Sequence, residues 1–145
     1  MKYFDDFSVG ETVVVGEHLL TQEELIGFAE KWDPQFFHVS PEAAEKSIFS
    51  GLIAAGTHLM SIAVLLLVKQ QPSVAVLSGL GWDEVRFLAP GRPGDRLVTS
   101  RECLETRPSA SKQDRGIVIN RITLNNQKGQ LLLTYVDTIL VKKTP

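Results

Sequence analysis

The spacing of hydrophobic positions changes near residue 74, which divides the chain into a helical half and a strand half. Glu11 to Val15 predicts a short strand. Apolar residues then recur at helical spacing from Leu25 to Trp32, which predicts a helix with one buried face. Thr21, with Glu24 three residues later, matches a capping box, so we expect this helix to begin at Thr21.

The most hydrophobic helical segment runs from Thr57 to Gln71 and is closed by Pro72. Its centre, Ile62 to Val68, is apolar on every side, unlike a helix that lies on a protein surface. We therefore expect other structure to surround this helix. A shorter helix is predicted from Ser40, because Ser40 is a good N-cap and Pro41 suits the first helical position.

The second half predicts strands that are rich in β-branched and aliphatic residues and are separated by turns containing Gly, Pro and Asn. The predicted strands are Val74 to Leu80, Trp82 to Leu88, Leu97 to Leu104, Gly116 to Leu124 and Leu131 to Lys142. One apolar helix and five or six mostly sequential strands favour an antiparallel sheet that wraps around the helix. This is an α+β hot-dog fold, and we expect residues 1–145 to form a single domain.

Composition narrows the possible partners. The chain has 15 basic and 17 acidic residues without a long run of either sign, so nucleic acid is not an expected partner. The longest apolar stretch, Leu59 to Val68, is too short to span a membrane.

The lone Cys103 and the absence of a signal-peptide pattern favour a cytoplasmic protein. Metal binding is not expected, because no His or Cys pair has ligand spacing. A single sheet wrapped on one helix leaves apolar surface exposed, so we expect a homodimer or a higher homo-oligomer.

Candidate chemistry begins directly after the first long helix, in the sequence Asp33-Pro34-Gln35-Phe36-Phe37-His38. Pro34 ends the helix, and a short loop would then aim the Asp33 carboxylate and the His38 imidazole at one point. A water molecule could lie between this acid and base, which favours an enzyme that adds or removes water. Each residue alone could be structural, and Gln35 could either bind a ligand or brace the loop.

A second candidate is the segment from Gly51 to Gly56, which leads into the apolar helix. It could be a tight turn and nothing more. Alternatively, amides at the start of the helix could face a substrate carbonyl oxygen, with Gly56 allowing close approach. On the second interpretation Ala55 and Thr57, which flank Gly56, are candidate substrate-binding residues together with Gln35 and Phe36.

Five ordered segments resemble the MaoC-like dehydratase family, which includes the (R)-specific enoyl-CoA hydratases. They extend over most of the chain: Tyr3 to Glu11, Phe28 to Gln35, His38 to Ala44, Gly51 to Gly56 and Val85 to Asp95. The resemblance implies a hot-dog fold, usually dimeric or larger, that acts on acyl thioesters of coenzyme A. No other cofactor is expected.

The resemblance also implies residue roles. Asp33 and His38 would be the hydratase dyad that adds water reversibly across the 2,3 double bond of an enoyl-CoA, and the amide of Gly56 would contribute the oxyanion hole. Which dyad residue is the base stays open, because a shared proton makes the pair titrate together. One position departs from the family pattern: Phe36 replaces a common proline, and an aromatic side chain there would narrow the acyl pocket.

Two other function classes remain open. Hot-dog thioesterases often carry a catalytic carboxylate on the central helix, but the predicted helix from Thr57 to Gln71 contains no Asp or Glu. A non-catalytic dimer that binds acyl-CoA would fit Phe36 and the lack of a distinct phosphate site. An intact pair of Asp33 and His38 argues against such a module, because binding alone requires no acid–base pair.

Overall fold

The computed structural model describes all 145 residues, and its largest element is one antiparallel sheet of five strands. The spatial order is β1-β3-β4-β5-β2, so that β1 and β2 are the two edges. The strands are β1 (Thr12–Leu19), β2 (Val76–Phe87), β3 (Arg96–Pro108), β4 (Arg115–Asn125) and β5 (Leu131–Lys142). The long strands β3, β4 and β5 pair over most of their length and form the centre of the sheet.

The helices lie between β1 and β2 in the chain. They are α1 (Gln22–Trp32), α2 (Phe36–Val39), α3 (Pro41–Glu45) and α4 (Gly56–Lys69), and a short 3₁₀ turn at Phe4–Asp6 precedes β1. Ser40 caps α3 by accepting a hydrogen bond from the Ala43 amide, as the sequence predicts. None of the helices has the length and apolar content needed to cross a lipid bilayer.

The long helix α4 packs against the inner face of the sheet. Alternate residues of β4 are buried, which is the pattern of a strand with one face on the core. Helix α4 buries Leu59, Ile62, Ala63 and Leu66, and a Cβ atom at Gly16 of β1 would lie only 3.2 Å from Leu66 Cδ2. This arrangement of one helix held by a curved antiparallel sheet confirms the predicted hot-dog fold.

Two details of the helices differ from the expectations. One side of α4 is open in the single chain, where Leu65 and Val68 are exposed, so the other elements surround this helix only in part. The N-cap of α1 is confirmed, since the Thr21 hydroxyl accepts the Glu24 amide. The capping box is not completed, because the Glu24 carboxylate instead contacts His18 Nε2 at 2.8 Å and 3.0 Å.

Strand β2 also differs from the sequence prediction. The segments predicted as two strands, on either side of Gly81, form one strand paired with β5. The glycines do not end the strand. Instead the register shifts between Val76 and Ser78, between Gly79 and Gly81, and between Asp83 and Arg86. Such bulges let a strand bend without losing its partner.

Candidate active site

The end of α1 positions Asp33. This residue is the C-cap, its amide donates to the Ala29 carbonyl at 2.8 Å, and Pro34 prevents the helix from continuing. Gln35 Nε2 donates to Asp33 Oδ1 at 3.1 Å. One carboxylate oxygen is thereby held by Gln35, while the other, Oδ2, faces His38.

His38 lies in α2, a single helical turn, and not in the loop expected from the sequence. A hydrogen bond closes this turn: the Ser40 amide donates to the Phe36 carbonyl at 3.0 Å. The His38 side chain is buried, and its Nδ1 lies 2.6 Å from the Ile53 carbonyl oxygen. A carbonyl only accepts hydrogen bonds, so Nδ1 carries a proton, and in the neutral ring Nε2 is the free acceptor.

The two candidate catalytic groups face each other across a short gap. His38 Nε2 lies 3.5 Å from Asp33 Oδ2. This separation is longer than an ordinary hydrogen bond, so each group can still bind a third partner. The Asp33 side chain is about 30% exposed, whereas that of His38 is 5% exposed, which places the pair at the border between solvent and core.

Gly56 is the first residue of α4, and its amide therefore has no partner within the helix. A Cβ atom at this position would lie 2.7 Å and 2.8 Å from two ring atoms of Phe87. Only glycine fits beneath this ring without a displacement. Phe87, at the end of β2, is thus a site residue that the sequence reasoning missed, because no motif or spacing distinguishes it from other apolar strand residues.

A cavity of about 580 Å³ brings these groups together. Asp33, Gln35, His38, Gly56 and Thr57 all line it, and the rest of its wall is largely apolar, formed by Phe49, Ile53, Ala54, Leu59 and residues 87–90. Its volume is within the range of pockets that bind small molecules.

Two expected substrate-binding residues do not line this cavity. Phe36 is about half exposed, and its ring packs edge-on against Phe37 at a centroid distance of 5.0 Å. Phe36 is therefore not part of the wall of the cavity that it was expected to narrow. Ala55 is fully buried as the N-cap of α4, directly before Gly56 in the chain.

Arg92 fixes the segment that leads into α4. Its guanidinium donates to the carbonyls of Phe49 at 2.5 Å and Leu52 at 3.4 Å. In addition, the amides of Ile53 and Ala54 donate to the carbonyls of Phe37 and Gly91, at 3.1 Å and 2.9 Å. This bracing holds the Ile53 carbonyl where it binds His38.

The fold and the cavity define a hot-dog protein in which Asp33 and His38 lie beside the N-terminus of the central helix. The family model described as "MaoC like domain" matches residues 7–126, and the chain belongs to this family.

Relatives of known sequence or structure agree with this assignment. The crystal structure of a MaoC-like dehydratase from Rhodospirillum rubrum is 33% identical, with a TM-score of 0.93, and the match covers 100% of this chain and 99% of that one. The uncharacterized protein YdeM of Bacillus subtilis is 26% identical, over 96% of this chain and 98% of YdeM. The mesaconyl-CoA hydratase of Cereibacter sphaeroides is 25% identical over 98% of this chain, but the match spans 41% of that hydratase.

Proposed function

We propose that this protein is a hydro-lyase that adds water reversibly across the 2,3 double bond of an enoyl-CoA thioester. The observation that carries the proposal is the Asp33–His38 pair, 3.5 Å apart, beside the free amide of Gly56 in one largely apolar cavity. Family membership supports the hydratase class, and a mesaconyl-CoA hydratase is among the relatives.

The amide of Gly56 has the first role in this mechanism. It donates to the thioester carbonyl oxygen and stabilises the negative charge that develops there as an enolate forms. Polarising this carbonyl makes the β-carbon electrophilic. Close approach of the thioester requires the bare α-carbon of Gly56, and the Phe87 ring limits the remaining space.

Asp33 and His38 have the second role. The bond to the Ile53 carbonyl selects the tautomer with the proton on Nδ1, so His38 Nε2 and the Asp33 carboxylate both present acceptors toward the cavity. A water molecule that donates to both keeps its lone pairs free to attack the β-carbon. As the new C–O bond forms, the pair takes a proton from the water and delivers a proton to the α-carbon. Water is thus divided between the two carbons, and the thioester bond stays intact.

The same geometry argues against hydrolysis of the thioester. Helix α4 carries no Asp or Glu, so the carboxylate that many hot-dog thioesterases place there is missing. Asp33 approaches the cavity from the end of α1 instead. We propose no cofactor besides coenzyme A, which enters as part of the substrate.

We further propose a homodimer formed through β2. This edge strand has an unpaired backbone edge and exposes large apolar side chains, among them Val76, Leu80 and Trp82. Such an edge favours pairing with another strand. Antiparallel pairing of β2 with the same strand of a second copy, related by a twofold axis, would provide hydrogen-bond partners for the unpaired backbone groups of both strands.

The direct test of the dyad is the loss of enoyl-thioester absorbance from crotonyl-CoA. We expect turnover by the wild type and a loss of roughly 10²–10⁴-fold in Asp33→Asn and His38→Gln, the range for a removed general acid or base. Asp83→Asn and His18→Gln are matched controls outside the cavity and should retain activity. Full activity in folded Asp33→Asn and His38→Gln would refute the assigned site. Binding of acyl-CoA without any turnover would favour a binding module.

A further inference from the structure

His58 connects the two helices that carry the candidate catalytic groups. It lies in the first turn of α4, two residues after Gly56, and is only 3% exposed. Its ring stacks on Phe28 of α1, with a centroid distance of 4.4 Å and an interplanar angle of 6°. Its Nε2 lies 3.9 Å from Oε1 of Glu24, one turn earlier in α1. His58 does not line the candidate active-site cavity, so it can act on the site only through these helices.

The ring of His58 and the amide of Gly56 belong to the same helical turn. The amides of His58 and Leu59 both donate to the Ala55 carbonyl, at 3.0 Å and 3.1 Å, so Gly56 lies inside both hydrogen-bonded loops. A movement of the ring that displaces the His58 backbone therefore also displaces the Gly56 amide.

Phe28 is connected to Asp33 in a similar way. Asp33 is the C-cap of α1, and its amide donates to the carbonyl of Ala29, the residue after Phe28, at 2.8 Å. Five residues of helix separate Phe28 from Asp33, which is roughly 7.5 Å along the axis. The contact between the rings of His58 and Phe28 thus fixes the Gly56 amide relative to Asp33.

Packing alone does not explain a histidine at this position. His58 Nδ1 is buried and has no hydrogen-bond partner, and the gap to Glu24 is too long for an ordinary hydrogen bond. A phenylalanine would fill about the same space and stack on Phe28 without an unpaired buried nitrogen. What the imidazole adds is the ability to gain a proton.

The neutral ring is the favoured form near pH 7. Burial lowers the pKa of His58 below its ordinary value of about 6.5; Glu24 opposes this change and His18 adds to it. Glu24 acts from α1 and His18 acts from β1. His18 Nε2 already contacts both oxygens of Glu24, at 2.8 Å and 3.0 Å. The neutral His58 ring therefore rests on Phe28 while the Glu24 carboxylate is engaged by His18.

We propose that His58 is a positioning residue that makes the candidate active site sensitive to acid. When its ring gains a proton, it moves from Phe28 towards Glu24. The first turn of α4 follows, and the Gly56 amide is drawn out of line with Asp33. This role rests on the proposed hydratase function, since the Gly56 amide is the group that is positioned.

The size of the movement follows from the gap. A hydrogen bond between an imidazolium and a carboxylate is about 2.7–2.9 Å long, so closing the distance of 3.9 Å from His58 to Glu24 requires a shift of roughly 1 Å. A misplacement of about 1 Å at a reacting centre can cost about 100-fold in rate. A fraction of this shift at Gly56 is therefore measurable.

NMR titration of the ligand-free protein between about pH 5 and pH 8 tests the movement without any turnover. The chain has 3 histidines, whose ring signals are assigned with single variants. The Gly56 amide signal should shift with the midpoint of His58, below about pH 6.5, and this shift should be absent in His58→Phe. A Gly56 signal that follows His38 alone, or that shifts equally in His58→Phe, would overturn the proposal.

Glu24→Gln separates movement of the ring from the mere presence of its charge. An amide attracts an imidazolium about half as strongly as a carboxylate does, so the Gly56 shift should fall by about half although His58 still titrates. The variant retains the cap of α1, because Thr21 accepts from the backbone amide of residue 24. An undiminished Gly56 shift would mean that the charge acts through space, and it would overturn the proposed movement.

Kinetics test the consequence for the reaction. With crotonyl-CoA, kcat should fall between about pH 7.5 and pH 5.5 by at least about 5-fold more in the wild type than in His58→Phe, because titration of the dyad is common to both. His58→Leu, which removes the ring stack, should lower kcat at both pH values with little change in KM. Equal pH dependence of the wild type and His58→Phe would overturn the proposal. If the wild type has no turnover but its Gly56 signal follows His58 as expected, the positioning role stands and only the hydratase proposal fails.

Discussion

Replacing Asp137 by asparagine should stabilise the protein at neutral pH. Burial raises the pKa of the Asp137 carboxyl from 3.8 to about 6, so the folded state binds this proton more tightly than the unfolded chain does. Between about pH 4 and pH 6 the folded protein therefore carries more protons, and the free energy of unfolding falls as the pH rises. Above about pH 6 the folded protein carries the full free-energy cost of burying the ionised Asp137 carboxylate.

The magnitude follows from the pKa difference. A difference of about 2 in pKa corresponds to about 3 kcal/mol. The Asp137 side chain is only partly buried, and water reduces the penalty, so we expect about 1–2 kcal/mol. Asparagine has nearly the same shape and can still accept a hydrogen bond from Trp82. Arg101 does not depend on Asp137, because its nearest carboxylate is Glu11.

Urea unfolding at about pH 4 and about pH 7.5, at one fixed protein concentration, tests this reasoning. Asp137→Asn should be more stable than the wild type by about 1–2 kcal/mol at the higher pH and nearly equal to it at the lower pH. Asp83→Asn, an exposed replacement in β2, should change stability by less than about 0.5 kcal/mol at both. If Asp137→Asn is no more stable than the wild type at the higher pH, or more stable by the same amount at both pH values, burial of the Asp137 charge does not explain its stability.

Three further predictions concern the site and the sheet edge. Gly56→Ala should displace the Phe87 ring by roughly 1 Å and lower kcat/KM about 100-fold with little loss of stability. If activity recovers in a double variant with Phe87→Ala, the ring is the cause of the loss of activity. Full activity of Gly56→Ala would contradict the account. Arg92→Met should lower the free energy of unfolding by about 1.5–3 kcal/mol in urea, because two carbonyl contacts are lost; an unchanged value would show that this bracing is dispensable. Leu80→Lys in β2 should convert dimers to monomers in sedimentation experiments, whereas Val14→Lys, on the opposite edge of the sheet, should leave the dimer intact. If Leu80→Lys still forms dimers, the dimer interface is not at β2.

Local sequence signals predicted most of the helical half correctly. Thr21, Pro34 and Ser40 act through their immediate neighbours, so their effects on helix ends are visible in the sequence. The Glu24 carboxylate was predicted wrongly because its partner, His18, lies in another element. Gly81 looked like a strand end, but pairing with β5 carries β2 through it, and this depends on a strand more than fifty residues later.

The candidate site shows the same division. The spacing of Asp33 and His38 predicted that they would meet, and the structure places their side chains 3.5 Å apart. The bond from His38 to the Ile53 carbonyl was not predictable, because every residue has a backbone carbonyl and the residue type does not show which one accepts a hydrogen bond. Neither was the position of Phe87 over Gly56, since it depends on how β2 ends against α4.

The central claim is that water is added across a carbon–carbon double bond while the thioester survives. NMR analysis of the product formed from crotonyl-CoA in D₂O tests it most directly. The account predicts 3-hydroxybutyryl-CoA with one solvent deuterium at the α-carbon, no release of free coenzyme A, and loss of this product in folded Asp33→Asn. Release of the coenzyme A thiol together with crotonate would identify a thioesterase instead, and undiminished product from Asp33→Asn would contradict the role of the dyad.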